Sequence, residues 1–277
     1  MSELLNMARA AAGALPFVPR GDRLPDRTDT VDETTINRAN VAAYAAVTGL
    51  RYGETLPLTY PFVLTFPAVM SLLTSFDFPF PALGAVHVEN TITAYRPIAV
   101  TDTLAIKVRA ETLREHRKGL LVDFVSKIAV GNDPAWHQTA TFLHQQRTSL
   151  SDEPKPEPPP SVKLPAPNAV LRITPARIRR YAAISGDRNP IHTSSLGARL
   201  FGFPAAIAHG MFSAAAVLAN LDGQLPDAVR YAVKFGKPVV LPSSPGVFVD
   251  RADGGFDIAL RNLAKGYPHL NATVRGI

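Results

Sequence analysis

Between Asp187 and His192 the chain places a carboxylate, an amide and an imidazole within a few positions, in the run Asp187-Arg188-Asn189-Pro190-Ile191-His192. A carboxylate and an imidazole that reach the same water can hold and polarise it, since free imidazole titrates at about 6.5 and both accepts and returns a proton near neutrality. Asn189-Pro190 has the form of a helix start, where Asn caps free backbone N–H groups and Pro suits the first helical position. Gly186 relaxes the backbone of the turn before it. Asp187 and His192 can then face each other across a tight loop. The competing reading makes Asp187 and Asn189 turn and cap residues only and His192 a surface or core histidine, the commoner fate of an arbitrary Asp-x-Asn-Pro stretch.

A second copy of the same scaffold argues for the chemical reading. Tyr44-Ala45-Ala46-Val47-Thr48-Gly49 matches Tyr181-Ala182-Ala183-Ile184-Ser185-Gly186, yet Leu50, Tyr52 and Thr55 stand where the later copy has Asp187, Asn189 and His192. Polar groups needed only for the turn would be needed in both copies. The repeat continues: Pro97 and Pro238 anchor a looser match between residues 92–108 and 232–249. Each half carries one apolar, helix-like stretch, Tyr60–Phe76 and Phe203–Leu221. Strand-like runs follow at His87–Arg96, Thr103–Glu111, Leu120–Val130 and Trp136–Gln145, and again at Val229–Phe235, Gly246–Asp250, Phe256–Asn262 and His269–Val274, separated by Gly-, Pro- and Asp-rich turns. This order predicts a long apolar helix wrapped by an antiparallel meander, twice, with the units paired sheet edge to sheet edge. Ser149–Asn168 is dense in proline and without apolar period, and reads as an extended linker. The expected domains are therefore 1–148 and 169–277, joined by 149–168.

Gly186 to His192, following Tyr181-Ala182-Ala183-Ile184-Ser185, resembles the hydratase 2 motif of the MaoC-like, (R)-specific enoyl-thioester hydratases and dehydratases. The stretches AAAGALPFVPR, HQQRTSLS and AKGYPHL are similar to mycobacterial 3-hydroxyacyl-thioester dehydratases associated with type II fatty-acid synthesis. The resemblance implies an α+β double hot-dog fold with a degenerate N-terminal unit and a catalytic C-terminal one. It implies that Asp187 and His192 are the acid/base pair holding the catalytic water, that Asn189 orients their loop, and that the backbone N–H of Gly210 contacts the oxyanion. A helix start suits that last task, because its N–H groups are free and its potential positive. His209 is a possible active-site group, although a histidine beside an apolar helix is more often a packed structural residue. The implied reaction interconverts trans-2-enoyl and (3R)-3-hydroxyacyl thioesters, carried on CoA or an acyl carrier protein, without a cofactor.

The N-terminal half, lacking the acid/base set, is expected to bind the acyl tail; Tyr60–Phe76 either borders a tunnel or is ordinary core. Arg179, Arg180, Lys234 and Lys237 are candidates for the carrier's phosphates. Two rivals share the fold: a non-catalytic acyl-thioester binding module, which the intact Asp187/His192 set counts against, and a hot-dog thioesterase.

Composition bounds the rest. The 277 residues are 46% hydrophobic and 19% charged, an ordinary globular balance, and contain no cysteine, which excludes disulfides, thiolate nucleophiles and Cys-ligated metals. The seven histidines form no ligand-spaced cluster, so no metal is expected. Glu3 and Arg9 flank the short N-terminal apolar patch wrongly for export, and a cytoplasmic protein is expected. The uncharged stretches Leu56–Phe76 and Gly202–Leu221 are interrupted by Pro57, Pro61 and Pro67 and by His209 and Asn220, which favours buried helices over membrane spans. A formal charge of +6 is spread along the chain without a nucleic-acid motif, and fits a solvated surface or attraction of a phosphate-bearing ligand or acidic carrier protein. A monomer of two pseudo-symmetric units and a homodimer both fit.

Overall fold

The computed structural model describes residues 20–154 and 164–277. The N-terminal patch read against export and positions 155–163 of the Pro-rich linker lie outside the described residues. The elements fall into two matching sets. The first is β1 (Thr28–Thr35), α1 (Arg38–Thr48), α2 (Pro61–Leu73), β2 (Val86–Ala94), β3 (Thr103–His116), β4 (Gly119–Val130) and β5 (Asp133–Gln145). The second is β6 (Ala169–Val170), α3 (Pro175–Ser185), α4 (Pro190–Thr193), α5 (Ser195–Leu200), α6 (Gly210–Leu218), β7 (Val229–Phe235), β8 (Gly246–Ala252), β9 (Gly255–Arg261) and β10 (Pro268–Gly276).

The ten strands form one sheet in the order β1-β3-β4-β5-β2-β7-β10-β9-β8-β6. Outward from the centre, β2-β5-β4-β3-β1 is mirrored by β7-β10-β9-β8-β6, so the halves are related by an approximate two-fold. They join where β2 and β7 pair antiparallel, from Glu89 opposite Lys234 to Ala94 opposite Val229. Each half's sheet packs its inner face on its own central helix, the α+β double hot-dog arrangement. The edge-to-edge pairing removes two exposed strand edges at once.

The repeated sequence anchors hold equivalent places. Tyr44 on α1 and Tyr181 on α3 are both fully buried and meet at the two-fold with ring centroids 5.9 Å apart. Asn37 caps α1 and Thr174 caps α3 through their side chains. Gly49 and Gly186 end those helices with φ of 84° and 77°, a left-handed conformation that glycine adopts without Cβ strain. Arg177 ties the pair together by donating from Nε to the Val47 carbonyl in the last turn of α1 (2.7 Å).

Both central helices are core elements. Eight of the nine residues of α6 are buried, and α2 buries Phe62, Phe66, Val69 and Leu72. Each such large apolar side chain contributes about 1.5–3 kcal/mol on full burial. Ala68 also lies in this core.

The apolar stretch 203–221 is helical only from Gly210 onward. Residues 206–208 instead run as a strap along 239–241, with Ala208 N–H donating to Val239 O and Leu241 N–H to Ala206 O, both at 2.9 Å. Pro204, which cannot donate, helps keep this approach out of the helix. Strand β1 escapes the sequence pattern because it is a polar, mostly exposed edge strand, and β6 because it has two residues. No helix among the described residues is long and apolar enough to cross a membrane.

Candidate active site

The C-terminal half gathers its polar groups where α3, the short helix α4 and the start of α6 converge. After the Gly186 turn the chain reaches Asp187, whose Oδ1 accepts from Asn189 N–H at 3.3 Å. Asn189 in turn caps α4: its Oδ1 accepts from Ile191 N–H at 3.2 Å, and Pro190 takes the first helical position. This places His192 one turn later, facing back toward Asp187. Asn189 is therefore a side-chain cap in the structure.

His192 is held by the strap that precedes α6. Its Nδ1 lies 2.9 Å from the Ile207 carbonyl, an acceptor only, so Nδ1 carries the proton and donates. In the neutral ring that leaves the Nε2 lone pair free, pointing toward the Asp187 carboxylate with 4.0 Å between Nε2 and Oδ2. Such a gap is too long for a direct hydrogen bond and suits two groups sharing one water, each at about 2.8 Å. Burial pushes the His192 pKa down, against the opposing pull of the Asp187 charge and the Ile207 carbonyl, which favours the proton-accepting form. Asp187 keeps 24% of its side chain exposed and His192 11%, so the pair sits at the wall of the fold and not inside it.

His209 is part of the same constellation. It is the N-cap residue of α6, almost fully buried, and its Nε2–H donates to the Asp187 backbone carbonyl at 2.9 Å. Its ring stacks on His192 with centroids 3.8 Å apart. Burial first, and the neighbouring His192 second, lower its pKa to about 3, so it is a neutral donor that fixes Asp187. Gly210 is the first residue of α6, and a Cβ there would lie 3.1 Å from the Phe235 ring. The glycine lets the helix start sit close to the Phe235 ring of β7.

Asp187, His192 and His209 each offer a ligand atom within 4.8 Å of one another. Of these, His209 Nε2 is already engaged as a donor to the Asp187 carbonyl. The donor set fits a water better than a metal ion.

The cationic candidates are all exposed on the surface. Arg179 and Arg180 occupy the solvent face of α3. Lys234 projects from the outer face of the sheet, where it pairs with Glu89 at 3.1 Å, and Lys237 lies over the Tyr267 ring at 4.5 Å. The structure also brings in groups that the sequence does not single out. One is the Ile207 carbonyl, a backbone acceptor invisible to residue type. Others are Phe235, against Gly210, and His87 from the N-terminal half, whose ring centroid lies 5.0 Å from that of Phe235. Two surface clefts, one around Pro57, Trp136 and Val229 and one along the outer face of β7 and β10, are lined by none of these residues except Glu89 and Lys234.

Comparison with known proteins identifies the family. Residues 155–253 match the family described as MaoC like domain. Over 276 residues, covering 100% of this chain and 99% of the relative, the sequence is 69% identical to 3-hydroxyacyl-thioester dehydratase X of Mycobacterium tuberculosis. A crystal structure of that organism's HtdX superposes with a TM-score of 0.83 at 64% identity, covering 91% of this chain and 100% of the other. A MaoC-like dehydratase from Phytophthora capsici, 20% identical over 92% of this chain and 96% of its own, shares the fold with a TM-score of 0.72. The chain belongs to the MaoC-like 3-hydroxyacyl-thioester dehydratases.

Proposed function

We propose that this protein interconverts trans-2-enoyl and (3R)-3-hydroxyacyl thioesters in fatty-acid metabolism, using one water held between Asp187 and His192. The observation that carries the reading is the 4.0 Å separation of His192 Nε2 and Asp187 Oδ2 beside the start of α6. In hydration, His192 Nε2 takes a proton from the water as its oxygen bonds to C3, while Asp187 orients the water. The C2–C3 π electrons move toward the thioester carbonyl, and Gly210 N–H stabilises the enolate oxygen. The proton then passes to C2, so the elements of one water are added and the thioester bond stays intact. Dehydration runs the same steps backward, with direction set by equilibrium and supply.

In the same reading the N-terminal half binds the acyl tail and covers its partner. The CoA or carrier-protein phosphates meet solvent-exposed basic residues, for which Arg179, Arg180 and Lys237 are better placed than Lys234, already paired with Glu89. A cytoplasmic monomer of two pseudo-symmetric halves and a homodimer both fit this reading. The test is the conjugated enoyl-thioester absorbance of trans-2-enoyl-CoA, read together with free thiol. Loss of absorbance without thiol supports the reading. Thiol release would instead indicate thioester hydrolysis, and binding without either would indicate a carrier module.

A further inference from the structure

The inner face of the N-terminal half's sheet is lined by Ile92, Phe124, Ile128, Trp136 and Phe142, interrupted by one polar strip. The strip begins at a β-bulge in β2. His87 stands opposite Phe142 and Glu89 opposite Thr141, so Val88 is the extra residue. Strict alternation would put His87 on the outer face with Glu89; the bulge turns it inward, onto the face of Asn90. Asn90 is fully buried, and its Oδ1 accepts from Gln138 Nε2 at 2.6 Å. Gln138 stands directly across from Ser126. Ser126, Gln138, Asn90 and His87 thus run in sequence along the inside of the sheet.

One buried atom of each lacks a hydrogen-bond partner of good geometry, Ser126 Oγ, Gln138 Oε1, Asn90 Nδ2 and His87 Nε2, although the His87 ring also feels the Asn90 side chain beside it. The matching surface of the C-terminal half is apolar, with Val233, Ala272 and Ile258 on β7, β10 and β9, and its one phenol there, Tyr231, donates to Ala214 O. The strip belongs to the N-terminal half alone, and one end of it reaches the active site. His87 packs against Phe235, which packs against Gly210, and the Asp187 charge acts on the His87 imidazole. Donor, acceptor and hydroxyl groups left open together suit an oxygen that carries its own hydrogen.

We propose that this strip is a polar subsite for the acyl tail, binding thioesters whose chain bears a hydroxyl group beyond the reacting carbons. The proposal rests on the reading that the N-terminal half receives the tail. An alkyl chain laid along the strip leaves its buried polar atoms unmatched, whereas a hydroxyl at the right depth pairs with them. The same asymmetry lets a site built to hydrogen-bond a hydroxyl reject the analogue that lacks it.

The experiment uses the full chain and a set of trans-2-enoyl-CoA thioesters of one length, with a single hydroxyl walked along the tail, each compared with the unsubstituted thioester. The expected result is one hydroxyl position whose kcat/KM, relative to the unsubstituted thioester, exceeds that of the other positions by about tenfold, equivalent to about 1.4 kcal/mol. That relative peak disappears in Gln138→Met and in Ser126→Ala. Should Gln138→Met fail to fold, Ser126→Ala, which removes a single oxygen, decides alone. A flat series from an enzyme that turns over the unsubstituted thioester overturns the subsite and leaves the reaction reading in place, assigning the strip to buried water. A peak that survives both variants also overturns it. If no enoyl thioester reacts, the reaction reading fails, and calorimetric binding of the same series by wild type and variants tests the subsite separately.

Discussion

The loop after α1 and the loop after α3 leave the same scaffold and reach opposite ends. Both follow a buried tyrosine and a left-handed glycine cap. After Gly186 the chain forms a second, short helix that turns His192 back on Asp187. After Gly49 it runs through Leu50 and the exposed Tyr52, whose hydroxyl meets Arg38, to Thr55, which bridges to Ala99. The central helices differ in the same sense. Helix α6 opens with His209, a buried donor, and Gly210, whereas α2 opens with Tyr60 and Pro61, which has no N–H to give. In the proposed reading, a fold that joins two copies of its frame into one sheet carries its chemistry in only one. The other copy is then free to vary its interior.

The sharpest way to break this comparison is to disarm the second loop. Asp187→Asn and His192→Ala are each expected to lower enoyl-CoA hydration by at least about a hundredfold with circular dichroism unchanged. The double variant should be little worse than the poorer single one, because both groups act on one water. Near-normal turnover in either single variant would reduce the pair to a turn and a cap.

A smaller effect is expected from His209→Ala. It removes the donor to the Asp187 carbonyl and loosens the carboxylate's placement, for a loss in kcat of about tenfold to a hundredfold with KM little changed. The unpaired carbonyl also costs about 1–3 kcal/mol of stability, read from the urea midpoint. A variant destabilised to that degree but with full kcat would make His209 a packing residue only.

Acid should weaken the fold through its buried imidazoles. Folding holds His209 at about 3 and His87 at about 4, both chiefly by burial, against about 6.5 in the unfolded chain. As pH falls from 6.5 toward 4 the unfolded chain binds protons that the folded one refuses, so stability is full above that window and declines through it. Urea midpoints at pH 7 and pH 5 check the sign; a midpoint that rises on acidification contradicts the burial of these rings.

The smallest expected effect is none. Grafting Leu50→Asp, Tyr52→Asn and Thr55→His into the Asp187→Asn background should restore no hydration, since the N-terminal half also lacks the short helix, the His209 donor and the Gly210 N–H. Recovery above the Asp187→Asn level would show that the loop alone is sufficient.

Much of this was legible in the residues. Asp187 and His192 stood out as candidates because a blank copy of their scaffold lies in the same chain, whereas Gly210 entered through the family resemblance. The paired sheets followed from the repeated order of one apolar stretch and four strand runs. What stayed hidden depends on local backbone detail. His87 reads as an outward residue until the bulge at Val88 reverses its face. The strap before α6 looks helical by composition, and its Ile207 carbonyl, which sets the His192 tautomer, has no signature in residue type. Strand β1 hid because an exposed edge strand needs no apolar alternation.

The account rests on one water, held on one side of the substrate, supplying both the hydroxyl at C3 and the hydrogen at C2. Hydration of a trans-2-enoyl-CoA in deuterium oxide, with the product's C2 and C3 configurations read by NMR, tests this directly. The account predicts (3R)-3-hydroxyacyl-CoA with deuterium at C2 on the same face as the new hydroxyl. Deuterium on the opposite face would require a second proton donor across the substrate from Asp187 and His192, and would contradict it.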